Sequence, residues 1–168
     1  MVKHIAHTAL RGQGAADEED DLGILLALAF SAFATELRAS LAAQGYDDLH
    51  RSFGYVARNL AASPLTLSEL ADRLGITSPG ALKIVQQMED TGYLERVPDP
   101  TDARAKHLRL TRRGRAALAA ARGFHERFER ELADRLGARK VQALREVLGD
   151  IVARHEAVGG APVALRPM

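Results

Sequence analysis

The 168-residue sequence contains no cysteine, which removes disulfides, thiolate metal sites and thiol-based redox sensing from consideration. This absence is compatible with a reducing compartment. Aromatic residues make up only 5% of the chain, the profile of a globular protein built from aliphatic and alanine-rich helices. No run approaches the roughly 18 unbroken apolar residues of a membrane span, and residues 1–11 lack the apolar stretch of a signal peptide. A cytoplasmic protein with no membrane partner is therefore expected. A Gly-rich phosphate loop, a nucleophile elbow and an HExxH pair are also missing, which argues against an enzyme.

What is present is a chain of single-domain length with 46% hydrophobic and 27% charged residues. Its net charge is only +1, but the charge is unevenly distributed. Asp17, Glu18, Glu19, Asp20 and Asp21 form an acidic run, whereas Arg104, Lys106, Arg109, Arg112, Arg113 and Arg115 crowd one later segment. A locally basic face on a near-neutral protein is the footprint expected of phosphate binding.

The pattern reads as helix, helix, helix-turn-helix, hairpin, helix, helix. Residues 1–20 read as a flexible arm and 159–168, with Gly159 and Gly160, as a flexible tail. Leu22, Leu25, Leu26, Ala29, Phe30, Phe33, Leu37 and Leu41 predict an amphipathic helix from 21 to just before Gly45. A second helix is expected over 47–62, so that 21–62 form an N-terminal helical region. Thr66 with Glu69 is a capping box opening a third helix, which Gly75 stops. A fourth starts at Thr77 or Ser78, with Pro79 in its first turn, and runs to Thr91. Alternating strands at 94–97 and 106–110, separated by turn-forming Pro-Asp-Pro-Thr-Asp, close a lobe spanning 63–111. Thr111 caps a long helix reaching about Leu136, and a last helix covers roughly 138–157, giving a C-terminal helical region at 112–158.

Function is legible between Leu67 and Met88. Two helices crossing steeply need a small residue at the contact, supplied by Ala71, and a tight turn tolerant of positive φ, supplied by Gly75. Leu70, Leu74, Ile76, Ala81, Ile84, Val85 and Met88 then make one shared core. Ser78, Gly80, Leu82, Lys83, Gln86 and Gln87 remain for the outward side of the second helix, where a recognition helix reads DNA. Glutamine can bond base edges or phosphates, and lysine can meet phosphate or guanine. The basic hairpin that follows, with Lys106 in its second strand, is placed as the wing of a winged-helix module. Arg104 at its tip suits a minor groove, and Asp102 can orient the guanidinium. A surface helix pair with a merely stabilised turn is the bland alternative.

These residues resemble the MarR family of bacterial regulators: Leu-Ala-x-x-Leu-Gly-Ile-Thr-x-Pro at 70–79, Gly-Tyr-Leu-Glu-Arg at 92–96, and Asp-Pro-x-Asp-x-Arg-x-Lys-x-Leu-x-Leu-Thr at 99–111. The resemblance implies a mainly α fold with a small β-hairpin wing, a winged helix-turn-helix plus a helical dimerisation region made from the first and last helices. It implies a homodimer on double-stranded, pseudo-palindromic DNA, with Ser78, Gly80, Ala81, Leu82 and Lys83 on recognition positions and Asp102 and Arg104 on the wing tip. Gly80, Leu82 and Ala103 depart from hydroxyl or arginine residues frequent there, removing hydrogen-bonding groups.

In such a dimer Leu25, Phe30, Phe33, Val141, Leu144 and Leu148 would be buried across the two-fold axis. The resemblance further implies release by a small aromatic ligand, with His50, Phe53 and Tyr55 near enough in the predicted order to line its crevice. No cofactor is expected. His4 and His7 are too few for a four-coordinate zinc site, and the other four histidines are scattered. A winged-helix module that binds proteins instead of DNA is the alternative, against which the basic wing argues.

Overall fold

The computed structural model describes residues 21–98 and 106–157. The elements are α1 (Leu22–Ala42), α2 (Phe53–Leu60), α3 (Leu67–Leu74), α4 (Ser78–Asp90), β1 (Leu94–Pro98), β2 (Lys106–Leu110), α5 (Arg112–Leu136) and α6 (Ala138–Ala157). The expected order is observed, and the last helix has the expected bounds. The arm at 1–20, the wing tip and the tail lie outside the described residues. The chain divides into two units after Thr35, within α1.

In the first unit, Asp21 caps the helix by accepting a hydrogen bond from the Gly23 amide at 2.6 Å. The amphipathic reading of this helix needs correction. Leu22, Ile24, Leu25, Leu26, Leu28 and Phe30 are all exposed, and at 100° per residue they spread over about 240° of the helix circumference, wider than a single face. Averaged over an 18-residue window, α1 reaches a mean hydropathy of 1.6 and is long and apolar enough to cross a membrane. The sequence expectation looked for an unbroken apolar run, which Glu36 and Arg38 interrupt without lowering the average below that level. Composition alone decides this property, and the same side chains suit a helix covered by other protein.

In the second unit, α2 is shorter than the expected 47–62. The connection at 47–52 is held out of helix by local bonds: the Ser52 amide donates to His50 Nδ1 at 3.1 Å, and the Phe53 amide to the His50 carbonyl at 2.8 Å. The capping box is present as expected. Thr66 N–H donates to Glu69 Oε2 at 2.7 Å and Glu69 N–H to Thr66 Oγ1 at 3.3 Å. Gly75 takes φ 61°, the left-handed turn that a side chain would strain. Thr77 caps α4 by accepting from the Gly80 amide.

β1 and β2 pair antiparallel with Leu94 opposite Leu110 and Pro98 opposite Lys106. Leu65 adds a single bridge to Leu108, unforeseen in the sequence, through bonds of 2.7 and 3.2 Å. Phe53, Val56, Leu60, Leu65, Leu70, Leu74, Val85, Met88, Tyr93, Leu94, Leu108, Leu110, Ala117 and Leu118 form one core uniting α2, α3, α4, the hairpin and the start of α5. This closed lobe is what holds α4 and the hairpin base in fixed relation.

Candidate nucleic-acid interface

Helix α4 lies on the lobe with Ala81, Val85 and Met88 fully buried, the i, i+4, i+7 stripe of a single face. Ser78, Lys83, Gln86 and Gln87 are exposed on the other side, and Gly80 and Leu82 are half-buried. Ala81 is therefore corrected from a contacting position to a supporting one, because its methyl is enclosed by the core. Gly80 sits against the cap: a Cβ there would lie 3.3 Å from Thr77 Oγ1.

The connection before α2 approaches α4 as well. Burial lowers the affinity of the half-buried His50 for a proton, and the charges of Arg51 and Lys83 lower it further. His50 and Lys83 thus share one neighbourhood, which the sequence order did not indicate.

The basic segment is less free than its sequence suggests. Arg109 pairs with Glu95 at 2.9 Å across the hairpin, and Arg113 pairs with Asp48 at 2.9 Å. Arg115 donates to the Leu110 carbonyl at 2.6 Å. Lys106 and Arg112 are exposed. Asp102 and Arg104 fall outside the described residues.

The three residues expected around a ligand are placed differently from one another. Phe53 is 3% exposed and packs edge-on against Tyr93, so it belongs to the core and not to an open crevice. Tyr55 and His50 are half-buried. A groove of about 470 Å³ lies elsewhere, between α5 and α6, lined by Glu129, Ala133, Val141 and Arg145 among others. Among the described residues no cluster of three or more His, Asp or Glu suits a metal ion.

Sequence reasoning missed the cluster of Asp48, Tyr93 and Arg113. The Tyr93 hydroxyl donates to Asp48, and this bond, with the Arg113 charge, holds the Asp48 carboxyl below its usual range despite some burial. Burial and the Asp48 bond push the Tyr93 hydroxyl up to about 12. Tyr93 lay inside a quoted motif and Arg113 inside the basic run, but the three positions are far apart in sequence. Only an arginine in the first turn of a helix, the wrong sign for its dipole, hinted at a local acidic partner.

A helix-turn-helix whose second helix shows a polar face, followed directly by an antiparallel hairpin on the same core, defines a winged helix-turn-helix protein. The sequence profile of the MarR family matches residues 48–105. The exopolysaccharide II synthesis transcriptional activator ExpG of Rhizobium meliloti is 28% identical over 100 residues, 60% of this chain and 52% of that protein. The chain spans about half the length of the curated relatives it matches.

Among solved structures, the transcriptional repressor CouR, bound to a 23-mer DNA duplex, is 30% identical with a TM-score of 0.62, covering 78% of this chain and 92% of that one. Streptococcus pneumoniae FabT, in complex with DNA, shares the fold with a TM-score of 0.70 at 20% identity, over 81% of this chain and 96% of that one. The chain belongs to the MarR family of transcription regulators, which sets it apart from enzymes.

Proposed function

We propose that this chain acts in the cytoplasm as a homodimeric, sequence-specific repressor that reads a pseudo-palindromic operator with α4 and grips the flanking backbone with its wing. The observation that carries this reading is the two-sidedness of α4: Ala81, Val85 and Met88 are sealed in the core while Ser78, Lys83, Gln86 and Gln87 face outward. The DNA-bound state of CouR, at 30% identity, supports it. A two-fold dimer would set two copies of α4 about 34 Å apart, one turn of duplex. Gln86 and Gln87 would bond base edges or phosphates, Leu82 would touch a thymine methyl, and Lys83, Lys106 and Arg104 would meet phosphates or the minor groove. A small aromatic ligand reaching His50 and Tyr55 would release DNA by changing the angle between the lobes.

The test is a titration of duplexes selected from randomised DNA at two salt concentrations. Lys83→Ala should weaken binding and reduce the slope of log K against log salt by about 1.8, the value for two lost phosphate contacts, one from each protomer. Arg104→Ala should weaken binding without altering the melting temperature. Wild-type binding that is insensitive to salt, or unaltered binding in both variants, would refute the groove assignments and leave a protein-interaction module.

A further inference from the structure

Tyr93 stands between Gly92, whose φ of 72° turns the chain out of α4, and Leu94, where β1 begins. Its ring is 0% exposed, yet its hydroxyl reaches Asp48 in the connection before α2. Arg113, in the first turn of α5, lies with its guanidinium carbon 4.4 Å over the same ring. Its Nη2 donates to both Asp48 oxygens at 2.9 and 3.0 Å, and its Nη1 to the Thr91 carbonyl at 3.1 Å. Backbone contacts reinforce the joint: Thr111 N–H donates to the Tyr93 carbonyl at 3.1 Å, and Thr111 Oγ1 to the Gly92 carbonyl at 2.6 Å. A Cβ on Gly114 would lie 2.1 Å from that Tyr93 oxygen, so α5 is seated directly on the backbone at the hairpin base.

A cohesive contact alone does not need this chemistry. Apolar burial is non-directional and tolerates small rotations, whereas hydrogen bonds and a stacked guanidinium hold an angle. Arg113 also sits at the positive end of the α5 dipole, a position that disfavours a cation unless a specific partner compensates it. From this joint α5 runs 25 residues, about 37 Å at 1.5 Å per residue, to the end that meets α6. A rotation of about 10° at its start would move the far end by about 6 Å, close to two base-pair steps.

We propose that Asp48, Tyr93 and Arg113 are positioning residues that fix the angle between α5 and the recognition lobe, and so the half-site spacing that the dimer accepts. This rests on the DNA-binding dimer described above.

The chain has no cysteine, so Gln87→Cys on α4 and Arg135→Cys near the end of α5 can carry two spin labels. Dilution with unlabelled chain restricts the reading to distances within one chain. Tyr93→Phe, which keeps the ring, and Arg113→Lys, which keeps the charge, should both broaden the distance distribution. In parallel, duplexes selected by the wild type are rebuilt with their half-sites displaced by one and two base pairs. The wild type should lose about tenfold or more in affinity on the larger displacement, and the variants about threefold or less, with binding to a single half-site unchanged. Lowered melting temperatures with unchanged distance widths and unchanged spacing ratios would reduce the cluster to cohesion and overturn the proposal. If the wild type binds no duplex at low salt, the regulator reading fails by itself. The label widths then decide the joint alone: broadened, it stands as an angle-setting element; unchanged, it falls.

Discussion

The winged lobe and α6 treat their apolar side chains in opposite ways. In the lobe Leu70, Leu74, Val85, Met88 and Leu108 are at most 1% exposed, whereas in α6 Leu144, Val147, Leu148, Ile151 and Val152 are 39% to 54% exposed. Each such side chain gains about 1.5–3 kcal/mol on full burial. The lobe has collected that gain from its own elements. In α6 the apolar stripe at i, i+3, i+4, i+7 and i+8 stays open among the described residues, and it has the form that the contact of the proposed two-fold dimer would take. The contrast teaches that the lobe is closed by its own elements, so that in the proposed dimer its folding and chain association would be separate problems.

The largest effect that would break this contrast is expected at Gly114. Gly114→Ala forces a methyl against the Tyr93 carbonyl and should lower the unfolding free energy by about 3 kcal/mol or more, measured by urea denaturation at fixed protein concentration. A loss below about 1 kcal/mol would show that α5 is not seated on the lobe.

Leu148→Glu should act on association and spare the lobe. It is expected to raise the dimer dissociation constant by about 100-fold in sedimentation, with the secondary structure unchanged. An undisturbed dimer would remove α6 from the interface. Thr66→Ala removes the hydroxyl that accepts from the Glu69 amide, leaving the Thr66 N–H bond to Glu69 in place, and should cost the lobe about 1 kcal/mol, with no change in sedimentation.

The smallest effect sharpens the comparison through pH. The folded-state pKa of Asp48 lies below its ordinary value of 3.8, so its contribution to stability is present above that value and is lost as pH falls through the lowered one. The melting-temperature gap between wild type and Asp48→Asn should therefore be constant from neutrality down to about pH 4 and close below it. A gap that persists into strong acid would show that Asp48 acts through shape and not through its charge.

Local signals placed most of the fold. Thr66 with Glu69, Gly75, Pro79 and Thr111 act within a few residues of themselves, and each marks the helix boundary that its chemistry predicts. The second helix was read too long because apolar spacing from Leu49 onward continues through the connection, while the bonds made by His50 hold it open. The recognition face was legible because a 3.6-residue period separates Ala81, Val85 and Met88 from Lys83, Gln86 and Gln87. Ala81 was ambiguous only because a small residue suits both close packing and close approach to DNA. The basic run was over-read, since counting charge in sequence does not reveal that Glu95 and Asp48 lie opposite Arg109 and Arg113.

By itself the sequence determined the element order, the caps, the turn at Gly75 and the outward side of α4, because each depends on periodicity or on bonds spanning a few residues. Only the tertiary structure decided that Tyr93, Asp48 and Arg113 meet, that Phe53 is core and that Leu65 joins the hairpin. Those contacts join residues far apart along the chain, and no local pattern encodes a distance that exists only after the core has closed.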